Sequence, residues 1–197
     1  MPRQVFDYDP PDRFVAGTVG QPGQRTFFLQ ASGAGGLTSV VLEKQQVAAL
    51  AERVDELLDE VLRRSGGAAA VPAVVPVGAE DLEPLQTPIE EEFRVGTMSL
   101  AWDGEREAVV IECFAVGNEP DIDPEEGLEA DDVPADDPDD DTDARSVLRV
   151  TISGVVARAF AKRALALVAA GRPPCPFCAN PLDPDGHVCP RSNGYRR

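Results

Sequence analysis

Four side chains of types that commonly bind metal ions lie close together near the end of the chain. They are Cys175, Cys178, His187 and Cys189, in the pattern C-x2-C-x8-H-x-C. The set contains three of the four cysteines and the only histidine among 197 residues. Three thiolates and one imidazole are the ligand number and type of a closed tetrahedral zinc site. The sequence therefore predicts that these four residues bind one structural Zn2+ ion.

Turn-forming residues explain how the two ligand pairs would meet. Pro176 lies inside the first pair and favours a tight turn, because its ring fixes φ. Asn180-Pro181 and the Asp-Pro-Asp-Gly run at 183–186 predict that the chain reverses before His187. A bound zinc ion supplies the cohesion that so short a segment lacks in apolar residues.

Three other interpretations of these residues stay open. A redox-active Cys-x-x-Cys pair is disfavoured because the pair follows a predicted helix and Pro173-Pro174 rather than a strand. A catalytic zinc site is disfavoured because four protein ligands leave no position for water. The third is a tail without metal, or one whose metal is shared between chains. The gap between the ligand pairs is also shorter than in most zinc ribbons.

The charge of the chain is concentrated in one segment. The net charge is −17, which argues against binding of DNA or anionic membranes by the surface as a whole. Residues 119–143 hold 14 of the 35 acidic residues and no Lys or Arg, so taking 14 from −17 leaves only −3 for the rest. Such a composition buries too little apolar surface to offset the entropy of ordering. We therefore predict a disordered acidic insert at 119–143.

Targeting signals and cysteine usage indicate a cytoplasmic protein without a membrane anchor. The first residues are not followed by an apolar run of the signal-peptide type, and no run of 18 apolar residues occurs. Three cysteines arranged for metal rather than for disulfides fit a reducing compartment. The fourth, Cys113, lies in an apolar strand-like run and is expected to be buried.

Hydrophobic periodicity predicts an α+β fold. Residues 43–64 carry an apolar stripe of helical period, and a second helix begins after Ser153, its expected N-cap, and ends at Gly171. Short strands precede each helix, and the run Phe14-Val15-Ala16-Gly17-Thr18 is echoed by Phe93-Arg94-Val95-Gly96-Thr97. We predict a duplicated strand-strand-strand-helix unit forming an antiparallel sheet with two helices.

The predicted domain organisation follows from these elements. The α+β core spans 1–171, with a first half at 5–64, connective chain at 65–92 and a second half at 93–171 that contains the acidic insert. Residues 172–197 form the zinc-binding tail.

Signs of enzyme chemistry are weak. The one histidine is assigned to the metal, so no Ser-His-Asp or Cys-His arrangement is available, and no nucleotide-binding motif occurs. A polar cluster near the N-terminus is the alternative catalytic site, although a solvated arm is favoured there. Its members are Asp7, Tyr8, Asp9, Asp12 and Arg13. We predict that the protein is not an enzyme.

Motifs at both ends of the chain carry a family resemblance. They are Val5-Phe6-Asp7-Tyr8 with the run 12–18 at the start, and Cys175-Pro176-Phe177-Cys178 with the runs 186–191 and 193–197 at the end. In these motifs the chain resembles the ParJ family of actinobacterial proteins of unknown function. The resemblance implies an accessory protein that modulates the assembly of a ParA-type chromosome-segregation ATPase. It implies no catalytic residues.

Two further functions compete with a non-catalytic, zinc-binding regulatory or adaptor protein that has a protein partner. The C-terminal residues Arg191, Tyr195, Arg196 and Arg197 are basic with one aromatic ring, and a zinc knuckle with such a tail could bind RNA or DNA. The favoured alternative is that these arginines dock against acidic surface of the protein itself or are solvated. An enzyme of unrecognised type is the third hypothesis.

Overall fold

The computed structural model describes residues 4–34, 36–67, 69–117, 145–171, 175–179, 189 and 191. The acidic insert predicted at 119–143 lies outside the described residues, and so does His187.

Seven strands and two helices form the described part of the fold. In chain order they are β1 Val5–Tyr8, β2 Arg13–Val19, β3 Thr26–Gly33, β4 Gly36–Leu42, α1 Lys44–Arg64, β5 Glu91–Asp103, β6 Ala108–Ala115, β7 Val147–Ser153 and α2 Gly154–Ala169. The α+β class is confirmed. After β1, the order is three strands and a helix, twice. That the two halves are copies of one ancestral unit stays a prediction.

The strands form one mixed sheet in the order β1-β7-β6-β5-β4-β3-β2. The expectation of an antiparallel sheet is wrong at two pairings, because β4 runs parallel to β5 and β1 runs parallel to β7. The reason for the first lies in α1, which follows β4 and returns the chain so that β5 enters in the direction of β4. A parallel pair needs a long crossover of this kind, whereas antiparallel neighbours need only a tight turn.

Helix α1 begins and ends at the residues that its sequence favours. Glu43 is the N-cap and forms a capping box with Gln46, whose side-chain oxygen accepts from the Glu43 N–H at 2.8 Å. Gly66 and Gly67 have φ of 61° and 85°, which ends the helix in a backbone conformation that glycine tolerates. Ser153 caps α2 as predicted, its hydroxyl accepting from the Val156 N–H.

Both helices pack on one face of the sheet. Alternate strand residues such as Leu29, Ile111 and Leu148 form a single buried cluster with apolar residues of α1 and α2. The rings of Phe14 on β2 and Phe160 on α2 are stacked with centroids 4.7 Å apart. No helix in the described part of the chain is long and apolar enough to cross a lipid bilayer.

The chain between the halves first runs along α2 and then crosses to the opposite face of β2–β4. Residues 71–90, here called the strap, contain no helix or strand. Gln30 on β3 donates to the Gln86 carbonyl at 3.0 Å and accepts from the Gln86 N–H at 2.7 Å. Leu85 packs so closely on Gly17 that a Cβ at position 17 would lie 2.4 Å from its Cγ. The strap therefore needs glycine at this point of β2.

Candidate metal centre

Three of the four predicted ligands meet at one point beyond the end of α2. The Sγ atoms of Cys175, Cys178 and Cys189 all lie within 4.8 Å of one another. Cys175 and Cys189 are 5% and 3% exposed, and Cys178 is partly buried. The structure therefore brings together three thiols from two segments that are separated by ten residues of chain.

A tight turn brings the first two thiols together. The Ala179 N–H donates to the Cys175 carbonyl at 2.8 Å, which closes one turn around the Cys-x-x-Cys pair. Ala179 leaves that turn with φ of 62°, a left-handed conformation that is costly for alanine. The turn predicted from Pro176 is therefore present, and its exit is strained.

The sulfur positions fit a metal site better than a disulfide. Cys175 Sγ and Cys189 Sγ are 3.9 Å apart, whereas a disulfide requires about 2.05 Å. A tetrahedral zinc ion with Zn–S bonds of about 2.3 Å would hold two sulfur ligands about 3.8 Å apart. Three such thiols, two of them buried, form a ligand set for a soft or borderline metal ion.

The fourth predicted ligand cannot be placed, because His187 lies outside the described residues. The described residue Arg191 follows the last cysteine, and its guanidinium donates to the Phe177 carbonyl at 3.3 Å. This contact ties the end of the segment back to the Cys-x-x-Cys turn. We refer to residues 175–191 as the metal tail.

Cys113 belongs to the core, as predicted. It is 1% exposed on β6, and burial raises the pKa of its thiol to about 12. The thiol therefore stays protonated at neutral pH, and Cys113 lies in the core cluster rather than with the three cysteines of the metal tail.

The polar cluster near the N-terminus does not converge on one site. The Tyr8 hydroxyl is buried and hydrogen-bonded to Thr38 Oγ1 at 2.8 Å. Asp9 pairs with Arg106, whose hydrogen bond lowers the pKa of the Asp9 carboxyl. Arg13 turns to the strap instead. Asp7, Asp9 and Asp12 are exposed, as expected of a solvated arm, whereas Tyr8 is buried and Arg13 is half-buried.

A charged clamp that sequence reasoning missed fastens the strap to β2 and α2. Arg13 Nε donates to Asp81 at 2.6 Å, and this hydrogen bond holds the pKa of the Asp81 carboxyl below its ordinary value. Arg163 on α2 donates to the carbonyls of Ala16, on edge strand β2, and of Glu83. No local sequence pattern predicts these contacts, because the partners are at least 68 residues apart in the chain.

Arg158 is the second residue that was missed. Its side chain is 6% exposed, and it donates to the carboxylates of Asp55 and Asp59 on α1 at 2.6 and 2.8 Å. It also donates to the Pro72 carbonyl. The one available signal was a charge within an otherwise apolar stretch of α2, because a buried arginine needs acceptors.

One comparison with known proteins gives a match. The profile of a family described as "Protein of unknown function (DUF3090)" matches residues 6–189, which include both helices, every strand except the first residue of β1, and all three clustered cysteines. No curated protein and no solved structure matches the chain.

Proposed function

The chain belongs to the DUF3090 family of proteins of unknown function, and we propose that it is a non-catalytic, zinc-binding regulatory or adaptor protein. The observation that carries the proposal is the cluster of Cys175, Cys178 and Cys189. Thiolate ligands select soft and borderline ions, of which zinc is the usual structural one.

His187 would complete the zinc shell. It lies two residues before Cys189. Between Cys178 and Cys189 the chain has no further cysteine or histidine, and its other side chains that could bind a metal are the carboxylates of Asp183 and Asp185. Four protein ligands close the coordination sphere, so the metal would hold the tail in shape rather than activate water. When bound, the zinc ion would hold the two segments of the metal tail together, and the cysteines would fix the position of the ion.

A ParA-type ATPase is the partner that we propose. Support for this partner comes from the family resemblance of the terminal motifs and not from any described contact. Nucleic acid is the competing partner. The net charge of −17 weighs against it.

The metal half of the proposal is tested by elemental analysis. Protein purified under reducing conditions without added metal should contain about one zinc per chain, as expected for one closed four-ligand site. Cys178→Ser should lower that content sharply. Wild-type protein that is fully folded but carries little zinc or other metal would contradict the assignment.

The partner half is tested by sedimentation of a purified ParA-type ATPase with ATP. Adding the intact protein should change the amount of assembled ATPase, and Lys162→Gln, a surface change on α2 outside the metal tail, should behave like wild type. No change at any ratio would refute the partner. Retention of the protein on DNA under the same conditions would favour the nucleic-acid function.

A further inference from the structure

A cavity of about 270 Å3 lies where the β2–β3 turn, the start of α1 and the end of α2 meet. Its lining residues are Pro22, Gly23, Arg25, Phe27, Lys44, Leu167, Val168, Ala170 and Gly171. We propose that this cavity binds a phosphate-type oxyanion, either inorganic phosphate or the phosphate group of a small monoester. The inference does not depend on the metal or on the partner proposed above.

The charge of the lining is the first support. Among the described residues, Arg25 and Lys44 are the two charged ones that line the cavity, and no described carboxylate lines it. A cavity lined by positive charge is unusual on a chain of net charge −17. The carboxylate nearest in sequence, Glu43, is already engaged, because it accepts from Arg94 Nη1 at 2.8 Å and takes part in the α1 capping box. An anion would therefore meet two cations whose charge is not locally balanced.

The hydrogen-bonding state of the two cations is the second support. Arg25 Nη1 donates to the Ala170 carbonyl at the end of α2, which fixes the guanidinium at the cavity wall. Its Nε and Nη2 atoms donate to no other described residue, and Lys44 Nζ has no partner among the described residues either. A held guanidinium with free N–H groups matches the geometry of an oxyanion.

The position of Lys44 is the third support. Lys44 is the first residue of α1, and the first turn of that helix contains no acidic residue. A positive charge at this end is opposed by the helix dipole, which favours Asp or Glu there. The lysine is locally unfavourable for the fold, and such conflicts between local preference and sequence are expected at binding sites.

The walls and size limit the ligand class. Phe27, Leu167 and Val168 give the cavity apolar sides, against which an apolar substituent could pack. The volume is slightly below the range of about 300–1,000 Å3 that is usual for drug-sized ligands. A phosphate with a small apolar substituent fits this combination better than a long polyanion.

The lysine content of the chain makes the test direct. Lys44 and Lys162 are its two lysines, and Lys162 is paired with Glu80 outside this cavity. Reductive methylation with 13C-formaldehyde keeps both charges and gives one NMR signal for each lysine, assigned with Lys44→Gln and Lys162→Gln. The full-length protein, with its metal as purified, is then titrated with inorganic phosphate, phenyl phosphate or sodium chloride at matched ionic strength.

We expect a saturable shift of the Lys44 signal with both phosphates, little shift with chloride and no saturable shift of Lys162. Lys44→Gln should weaken phenyl phosphate binding at least tenfold by calorimetry, whereas Lys162→Gln, which removes the same charge elsewhere, should bind like wild type. Equal shifts of both lysines, equal effects of chloride, or unchanged affinity of the Lys44 variant would each overturn the proposal.

Discussion

The core and the metal tail are stabilised in opposite ways. In the core, residues spread over seven strands and two helices bury a common apolar cluster, and within the described part of the chain that cluster includes no residue of the tail. In the tail, three thiols within 4.8 Å of one another are the main long-range contact that is described. Stability in the core is distributed over many small contributions, whereas in the tail it depends on one centre.

This difference predicts how each region responds to a single side-chain substitution. A distributed core loses part of its free energy of unfolding when one side chain is truncated, because its neighbours still pack. A metal-centred segment loses its cohesion in one step when a ligand is removed, because metal binding and folding are the same free energy there. Four substitutions test the separation, in order of decreasing expected effect.

The largest effect is expected from Cys178→Ser, which removes one ligand from the tail. Metal content should fall from about one ion per chain to a small fraction, because structural sites need a full ligand set. Amide hydrogen exchange should show loss of protection in the metal tail, while the protection of α1 and β3 stays as in wild type.

The matched control is Cys113→Ser, which changes a buried core thiol that is far from the metal tail in sequence. It should keep the metal and weaken the core. If Cys178→Ser also lowered the protection of β3, the tail and core would be one cooperative unit and the comparison would fail.

Leu58→Ala should have the next largest effect. Leu58 is fully buried on α1, so truncation costs the transfer energy of the lost methyl groups and leaves a cavity. We expect the free energy of unfolding to fall by about 2–5 kcal/mol, measured by urea denaturation. Leu82→Ala, at a strap residue that is 83% exposed, is the control and should change it by less than about 0.5 kcal/mol. If the folded Leu58 variant bound less metal than wild type, the metal tail would depend on the core, and the two regions would not be independent.

Asp81→Asn probes the clamp between the strap and the core. The hydrogen bond from Arg13 lowers the pKa of Asp81 below its ordinary value of 3.8, so the ion pair stabilises the folded protein above that pH and is lost as pH falls through the lowered value. Asp81 is about one third exposed, so we expect a loss of about 1 kcal/mol at pH 7.

The pH dependence identifies the cause of that loss. The difference between wild type and Asp81→Asn should be constant from neutral pH down to about 4 and should shrink below it, because wild-type Asp81 then becomes protonated as well. Glu52→Gln, at an exposed position of α1, should show no such difference. A stability gap that persists unchanged below pH 3 would assign the effect to packing rather than to charge.

The smallest effect is expected from Ala179→Gly in the metal tail. Ala179 has φ of 62°, which glycine adopts without steric cost. Competition with a chelator should show a few-fold tighter metal binding, equivalent to at most about 1 kcal/mol. Ala170→Gly, at a residue with φ of −70°, should not tighten binding. A weaker metal site in Ala179→Gly would show that this turn is shaped by contacts other than backbone strain.

Local patterns account for the parts of the fold that were predicted correctly. Neighbouring residues determine the apolar period of α1, the Ser153 cap and the positions of the strands. These features can therefore be predicted from the sequence. The Cys-x-x-Cys pair and Cys189 were identified in the same way, because ligand type and spacing carry the chemistry. His187 stays a prediction.

The features that escaped prediction join residues far apart in the chain. The parallel pairing of β4 with β5 depends on how α1 crosses the sheet, and the Arg13–Asp81 pair spans 68 residues. Arg25, in the turn before β3, and Lys44, the first residue of α1, line a common cavity where α2 ends. Spacing rules cannot reveal such pairs, because they report on the geometry of one element at a time.

The first part of the strap is fastened at residues 72 and 81–83 and carries exposed side chains between these anchors. Arg158 holds the Pro72 carbonyl, Arg13 and Arg163 hold Asp81 and Glu83, and the exposed side chains of Val74 and Val77 lie between these anchors. A protease that cut one peptide bond in this interval would leave β4 paired with β5 and α1 packed on α2. The two fragments would then stay together as a noncovalent complex that separates only on denaturation. Chain continuity at this point therefore contributes loop-closure entropy, while the shape is maintained by the paired halves.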